Sequence, residues 1–183
     1  MTRRTKGKDQ SQQPDLLEEL IVLNRTSKAV KGGRTMSFSA AVVVGDGNGK
    51  VGYGQGKSKD VSGAIKKATE AAKADMRTTN HKVHLLPGSN TISYKFDSKY
   101  GASRVRVMPA STGRGIIAGN AMRSVFLCAG IYNVVAKSYG SPNPMNVVKA
   151  TIKGLQHVKT AAQVTKMRGK IINNALARTS EDA

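Results

Sequence analysis

The 183-residue chain has no tryptophan, one cysteine (Cys128), three histidines and only 4% aromatic residues. With so few rings, its core must be built from Val, Ile, Leu, Ala and Met, and this length buries one respectable core or two small ones. A lone cysteine forms no intrachain disulfide, and the apolar neighbours Val125, Phe126 and Leu127 mark Cys128 as a buried filler. Long apolar runs are missing as well. The longest apolar region, Gly115 to Ala136, is interrupted by Asn120, Arg123 and Asn133, which argues against a membrane span. The N-terminus lacks an apolar secretory segment. Its basic start, MTRRTKGK, has the charge of an organelle import signal, but Asp9, Asp15, Glu18 and Glu19 follow quickly and argue against a long transit peptide. A soluble protein of a reducing compartment is expected.

The scarcest groups are carboxylates. Thirty Lys and Arg against eleven Asp and Glu give a formal charge of +19. From Ser98 to Ser180, a run of 83 residues, there is no Asp or Glu, while the same run holds thirteen Lys and Arg. Cations there cannot pair with acids of their own half and must face water, partner carboxylates or phosphates. Such self-repulsion destabilises a compact chain, so a polyanionic partner is the expected reason for it.

The pattern predicts an α+β protein. Residues 1–14 are polar, charged and expected to be a disordered basic extension. A first domain over 15–79 reads helix–strand–strand–strand–helix. Pro14-Asp15 opens a short helix with Leu16, Leu17, Leu20 and Ile21 on one face, and strands follow over Leu23–Val30, Met36–Val44 and Lys50–Gly54. Asp46-Gly47-Asn48-Gly49 is a hairpin-turn signature. Ser58 or Asp60 caps a helix running to about Arg77, whose stripe of Val61, Ala64, Ile65, Ala68, Ala71 and Ala72 can lie close on a sheet. A linker is expected near Thr78–His81. The second domain, 82–160, has strands over His84–Leu86, Thr91–Phe96 and Ser103–Met108, a turn from Pro109 to Gly115, and a helix over Ile117–Ala129. It ends with a strand over Asn133–Ser138 and a helix from Asn143-Pro144 to about His157. Residues 161–183 form a basic extension whose structure the pattern leaves open.

Glycine-rich stretches raise the question of nucleotide chemistry. GDGNGKVGYGQGKSKD, residues 45–60, contains Gly47-x-Gly49-x-x-Gly52 and ends in Gly56-Lys57-Ser58. A dinucleotide fingerprint must run straight into a helix, whereas here a hairpin signature intervenes. A phosphate loop of the Walker type needs glycine where Val51 stands, and no later acid offers itself for magnesium. Turns and close backbone approach explain these glycines better. Pro109-Ala110-Ser111-Thr112-Gly113-Arg114-Gly115 is similar to the loop of small-molecule kinases. It can present amides at a helix start but lacks the groups for phosphoryl transfer. His81 and His84 have a chelating spacing without further ligands, and no Ser/His/Asp set can be assembled. No catalytic residue, cofactor or metal is expected.

Several stretches resemble one family. Asn24-Arg25-Thr26-Ser27-Lys28-Ala29-Val30-Lys31-Gly32-Gly33-Arg34, then SFSAAVVVGDGNGKVGYGQGKSKDV, SRVRVMPAS, GIIAGNAMRSV, AGIYNVVAKSYGSPNPMNVVKATIKGL and KMRGK follow in order. Together, over roughly residues 15–170, they resemble the bacterial-type ribosomal protein five family of the small subunit. The resemblance implies an N-terminal domain of double-stranded-RNA-binding-like α-β-β-β-α fold and a C-terminal two-layer α/β domain. The latter fold is shared with small-molecule kinases, so the similar loop is fold analogy without chemistry. It also implies a structural constituent of the small subunit that binds its rRNA and touches ribosomal proteins four and eight. Roles in head–body positioning and decoding accuracy, close to mRNA on the entry side, are implied too. Two places depart from the family: residues 77–102 are longer than usual, and Thr112 and Arg114 replace an acidic and a small hydroxyl residue.

With few aromatics, phosphate clamping is the expected mode of RNA binding. The candidates are Lys28, Lys31 and Arg34 flanking Gly32-Gly33, Lys57 and Lys59 before a helix start, and Lys50, Lys66 and Lys67 extending that surface. In the second domain, Arg104, Arg106, Arg114 and Arg123 are candidates for rRNA or protein partners. The alternatives are a free regulator that binds double-stranded RNA and, from a different class, a small-molecule kinase.

Overall fold

A computed structural model describes residues 16–78, 82–83, 85–86 and 90–169. Its first sheet has the order β1 (Leu17–Val30), β2 (Gly33–Gly45), β3 (Val51–Ser58), all antiparallel. Helix α1 (Val61–Thr78) lies on one face. The second sheet contains β4 (Phe96–Tyr100), β5 (Ser103–Pro109), β6 (Ile116–Ile117) and β7 (Val134–Gly140) in the order β4-β5-β7-β6. Only the β6–β7 pair is parallel. Helices α2 (Asn120–Ala129) and α3 (Pro144–Gln156) cover one face of this sheet, and α4 (Ala161–Arg168) follows.

Four expectations need correction. The helix expected over Leu16–Ile21 is the beginning of β1, so the first unit is β-β-β-α among the described residues. Pro14 and Asp15 lie outside them. The physical reason is that this end of the sheet is covered on both faces. Leu16 packs on the cluster under α1, while Ile21 packs on the core shared with the second sheet. A bulge between Leu20 and Val22 inserts an unpaired residue and shifts the parity. Apolar residues on two faces, with one parity change, imitate a helical period. In the second unit the expected strand over His84–Leu86 reduces to an isolated Leu85–Ile92 bridge, with His84 outside the described residues, and the strand expected over Thr91–Phe96 is replaced by β4, which starts only at Phe96. The helix expected from Ile117 starts at Asn120, because Ile116 and Ile117 pair with β7 first.

The alternating glycines of β3 have a packing purpose. Gly52, Gly54 and Gly56 all face α1, where a Cβ would collide with the backbone carbonyls of Ala72, Ala68 and Ala64 in turn. Period two on the strand meets period four on the helix: three glycines, three alanines. With no side chains between them, helix and strand backbones touch directly, and Ala40, Val42 and Val44 complete the cluster. Of the expected α1 stripe, Ala64, Ala68 and Ala72 are buried, whereas Val61 and Ala71 lie at its exposed edges.

The β2–β3 turn joins the two sheets. The Asp46 carboxylate accepts from the amides of Asn48 (2.8 Å) and Lys50 (2.9 Å), fixing the turn. That aims the Gly47 and Gly49 amides at the carbonyls of Cys128 and Ala129, both at 3.0 Å. These are C-terminal carbonyls of α2, which otherwise lack partners. Gly130 ends the helix in the left-handed region at φ 76°, and a Cβ there would strike the Gly47 carbonyl. The turn of one sheet therefore caps a helix of the other. Around it, Val43 and Val51 share a core with Val125, Phe126, Cys128 and Ile131, and the Lys149 ammonium sits over the rings of Tyr53 (5.5 Å) and Tyr100 (5.3 Å).

Cys128 is the filler its neighbours indicate. Burial, then the nearby Glu19 carboxylate, pushes its thiol up to about 12. The folded protein is expected to react with a maleimide at pH 8 at least tenfold more slowly than the same protein in denaturant, because the thiolate is the nucleophile.

Candidate nucleic-acid interface

The register places the first-sheet cations in three groups. β3 stops pairing at Phe38–Ser58, while β1 and β2 continue to Val30–Gly33. Thr26–Ser37 is therefore a two-stranded arm that projects beyond the three-stranded body by about 17 Å, five residue steps from Phe38. Lys31 and Gly32 form its tip, and Gly32 and Gly33 have φ of 105° and 146°, where a side chain would be strained. Residues Lys28 to Arg34 are all exposed.

Alternation then fixes which way the arm cations point. Arg34 pairs with Ala29 and shares its face with Met36 and Phe38, the face that carries α1 further down the sheet. Lys28 pairs with Thr35 on the opposite face. The arm thus carries positive charge on both faces and at its tip, with no carboxylate partner for any of these cations among the described residues.

A second group surrounds the base of the arm. Lys57, opposite Ser39, points away from α1, because the neighbouring Gly56 faces the helix. Lys59 lies in the connection to α1, with Lys66 and Lys67 exposed within its first two turns. Arg25 joins this group, its guanidinium 6.0 Å from the Phe38 ring centre. Sequence reasoning missed Arg25 as a candidate, although its position opposite an aromatic was readable once the hairpin register was known. Lys50 stands apart. It closes the turn just before β3, at the other end of that strand, seven residues or about 24 Å from Lys57, beside the contact that caps α2.

On the second sheet, Val105 and Val107 are buried while Arg104 and Arg106 face out, as the alternation requires. Arg106 donates to both oxygens of Asp97 (2.8 and 2.9 Å), and Arg104 adds a third bond at 2.6 Å. The Arg106 guanidinium, then that of Arg104, holds the Asp97 carboxyl well below the usual carboxylate range. A carboxyl pKa lowered by folding means that this pairing supports the fold above the carboxylate range and stops doing so as acid protonates it.

Arg123 does not join that face. It donates to the Ile116 carbonyl (3.0 Å) and ties β6 to the start of α2. Arg114 is exposed in the loop before β6. That loop does not open α2 as expected, since β6 intervenes and the helix is preceded by Gly119. Its amides therefore do not form a helix-start anion site. His81 and His84, the spaced pair, and the termini 1–15 and 170–183 fall outside the described residues. Among those described, no cluster of three or more metal-ligating groups occurs, and no helix is long and apolar enough to cross a membrane.

Comparison with known proteins gives the same direction. The family model described as ribosomal protein S5, N-terminal domain, matches residues 16–80, and the one described as ribosomal protein S5, C-terminal domain, matches 98–168. Proteins named small ribosomal subunit protein uS5 are similar along most of the chain. That of Shewanella amazonensis is 52% identical over 160 residues, covering 87% of this chain and 92% of the relative. Those of Shewanella oneidensis and Shewanella frigidimarina are 51% identical over 158 residues, covering 86% and 91%. With both halves matched in order and relatives spanned almost end to end, the chain belongs to the ribosomal protein S5 family, structural proteins of the small ribosomal subunit rather than enzymes.

Proposed function

We propose that the protein is held in the small ribosomal subunit by clamping rRNA phosphates with the β1–β2 arm, and that Arg25, Lys57, Lys59, Lys66 and Lys67 extend the contact at the arm's base. The observation that carries this reading is the arm itself. It is a two-stranded projection with Lys28 on one face, Arg34 on the other and Lys31 at the tip. A flat RNA surface could satisfy one face only. Charge on both favours an arm inserted between RNA segments, with phosphates on either side. Lys50, at the far end, belongs to a separate contact.

The finer assignment follows from the likeness to the family. The protein helps to set head against body, supports decoding accuracy near the mRNA entry side, and lies against ribosomal proteins four and eight. Domain limits of 15–79 and 82–160 are proposed on the same basis; Val43 and Val51 of the first unit contribute to the core of the second.

The test is binding of the full chain to purified small-subunit rRNA across a salt series. The expected result is a log–log plot of affinity against salt that falls steeply, by about 0.9 for each duplex phosphate contacted. Binding that ignores salt would overturn phosphate clamping.

A further inference from the structure

The second sheet has an open face that the arm does not explain. α2 and α3 cover only the side bearing Val105, Val107, Val134 and Ala136. The register puts Asp97 and Lys99 of β4, Arg104 and Arg106 of β5, and Lys137 and Tyr139 of β7 on the other side. Arg106 is paired to Asp97 and Lys137, and Arg104 to Lys99 and Tyr139. Met108 and Ile117 continue the same face toward β6, 37% and 49% exposed.

Charge on this face is unbalanced. Four cations meet one carboxylate, Asp97, whose two oxygens are already taken by Arg104 and Arg106. The chain supplies no other acid from Ser98 to Ser180. The missing charge must come from outside. Asp97 also orders the two guanidiniums as planar groups, with donors remaining for a second anion.

We propose that this open face binds a single-stranded RNA segment, with Lys99, Arg104, Arg106 and Lys137 on its phosphates and a base against the Tyr139 ring. The proposal rests on the reading that the chain is an RNA-associated protein of the small subunit, but it concerns a surface separate from the arm. Neighbouring cations on a sheet stand about 5 Å apart across strands and about 7 Å apart along them, a ladder suited to a polymer with one charge per repeat. Tyr139 is 47% exposed directly opposite Arg104, so a stacked base would lie beside a phosphate contact. Met108 and Ile117 offer apolar surface to further bases. An acidic protein segment is the rival occupant. It would match the charge but leave an exposed ring beside the cations without a reason.

The test uses the full chain carrying Tyr139→Trp, which creates its only tryptophan, titrated with an oligouridylate of about ten nucleotides. Saturable quenching of the tryptophan is expected. Adding Lys99→Ala and Lys137→Ala, which leave the Asp97 pairs intact, should lower the salt slope of that binding by about 1.4, at 0.7 for each single-strand phosphate contact. The arm substitutions Lys28→Ala and Lys31→Ala should leave the signal unchanged, so failure here and failure of the arm reading can be told apart. Absence of quenching, a slope that the double substitution does not alter, or equal quenching by an oligoglutamate peptide would each overturn the proposal.

Discussion

Replacing Gly54 with valine is expected to destabilise the protein by at least about 3 kcal/mol, the upper range for forcing atoms into a packed interior. A Cβ at this position would meet the Ala68 carbonyl and the Ala72 amide, which are helix backbone. A flexible side chain could rotate away; α1 can only lift off the sheet. Lifting it exposes Ala64, Ala68 and Ala72 together with Ala40, Val42 and Val44, the entire cluster on that face. Urea unfolding of the variant beside the unsubstituted protein measures the loss. Stability within 0.5 kcal/mol, roughly the scatter of neutral surface changes, would show that helix and strand do not touch as described.

The arm should be the opposite case, with a large effect on binding and little on folding. Lys28→Ala, Lys31→Ala and Arg34→Ala together remove three exposed side chains that have no ion pairs among the described residues. If each meets one duplex phosphate, the salt slope of rRNA binding falls by about 2.7, and affinity at about 0.1 M salt drops by between two and three orders of magnitude. The unfolding midpoint should barely move. Competition with the unsubstituted protein for small-subunit rRNA, alongside a melting curve, reads both quantities. Equal competition would remove the arm from the interface.

Much of this arrangement was legible from residue order. Arg104-Val105-Arg106-Val107 alternates cleanly, and one face is buried and the other charged as it must be. Asn143-Pro144 opens α3, with the Asn143 side chain accepting from the Met145 amide at 3.2 Å. Asp46-Gly47-Asn48-Gly49 is the turn its composition announced. What local pattern could not convey was the partner of each element. The glycines of β3 signalled close approach, but nothing in sequence said that Ala64, Ala68 and Ala72 would do the approaching. That the same turn would cap α2, far along the chain at Cys128 and Ala129, depends on the packing of two sheets. Burial on both faces disguised β1 as a helix, since Leu16 and Ile21 serve different cores.

The candidate site shows the same division. Net charge and the missing carboxylates pointed to a polyanion without saying where it lies. Only the register separated Lys50 from Lys57, brought Arg25 to the arm's base, and set Lys99 and Lys137 beside Arg104 and Arg106. Lys137 and Tyr139 continue the parity of the exposed face beyond buried Val134 and Ala136, less cleanly than the β5 arginines, and that was the signal available for them. Arg123 was a candidate for rRNA or protein contact from sequence, yet its reach to the Ile116 carbonyl needs the β6 strand to exist first.

The central claim, that this chain works as an rRNA-clamped component of the small subunit, is tested most directly by sedimentation of a cell lysate containing it. The account predicts that the protein travels with small subunits at low salt, is stripped from them as salt rises, and stays behind when Lys28, Lys31 and Arg34 are alanine. A protein found at the top of the gradient while still binding double-stranded RNA would contradict the account and favour a free RNA-binding regulator.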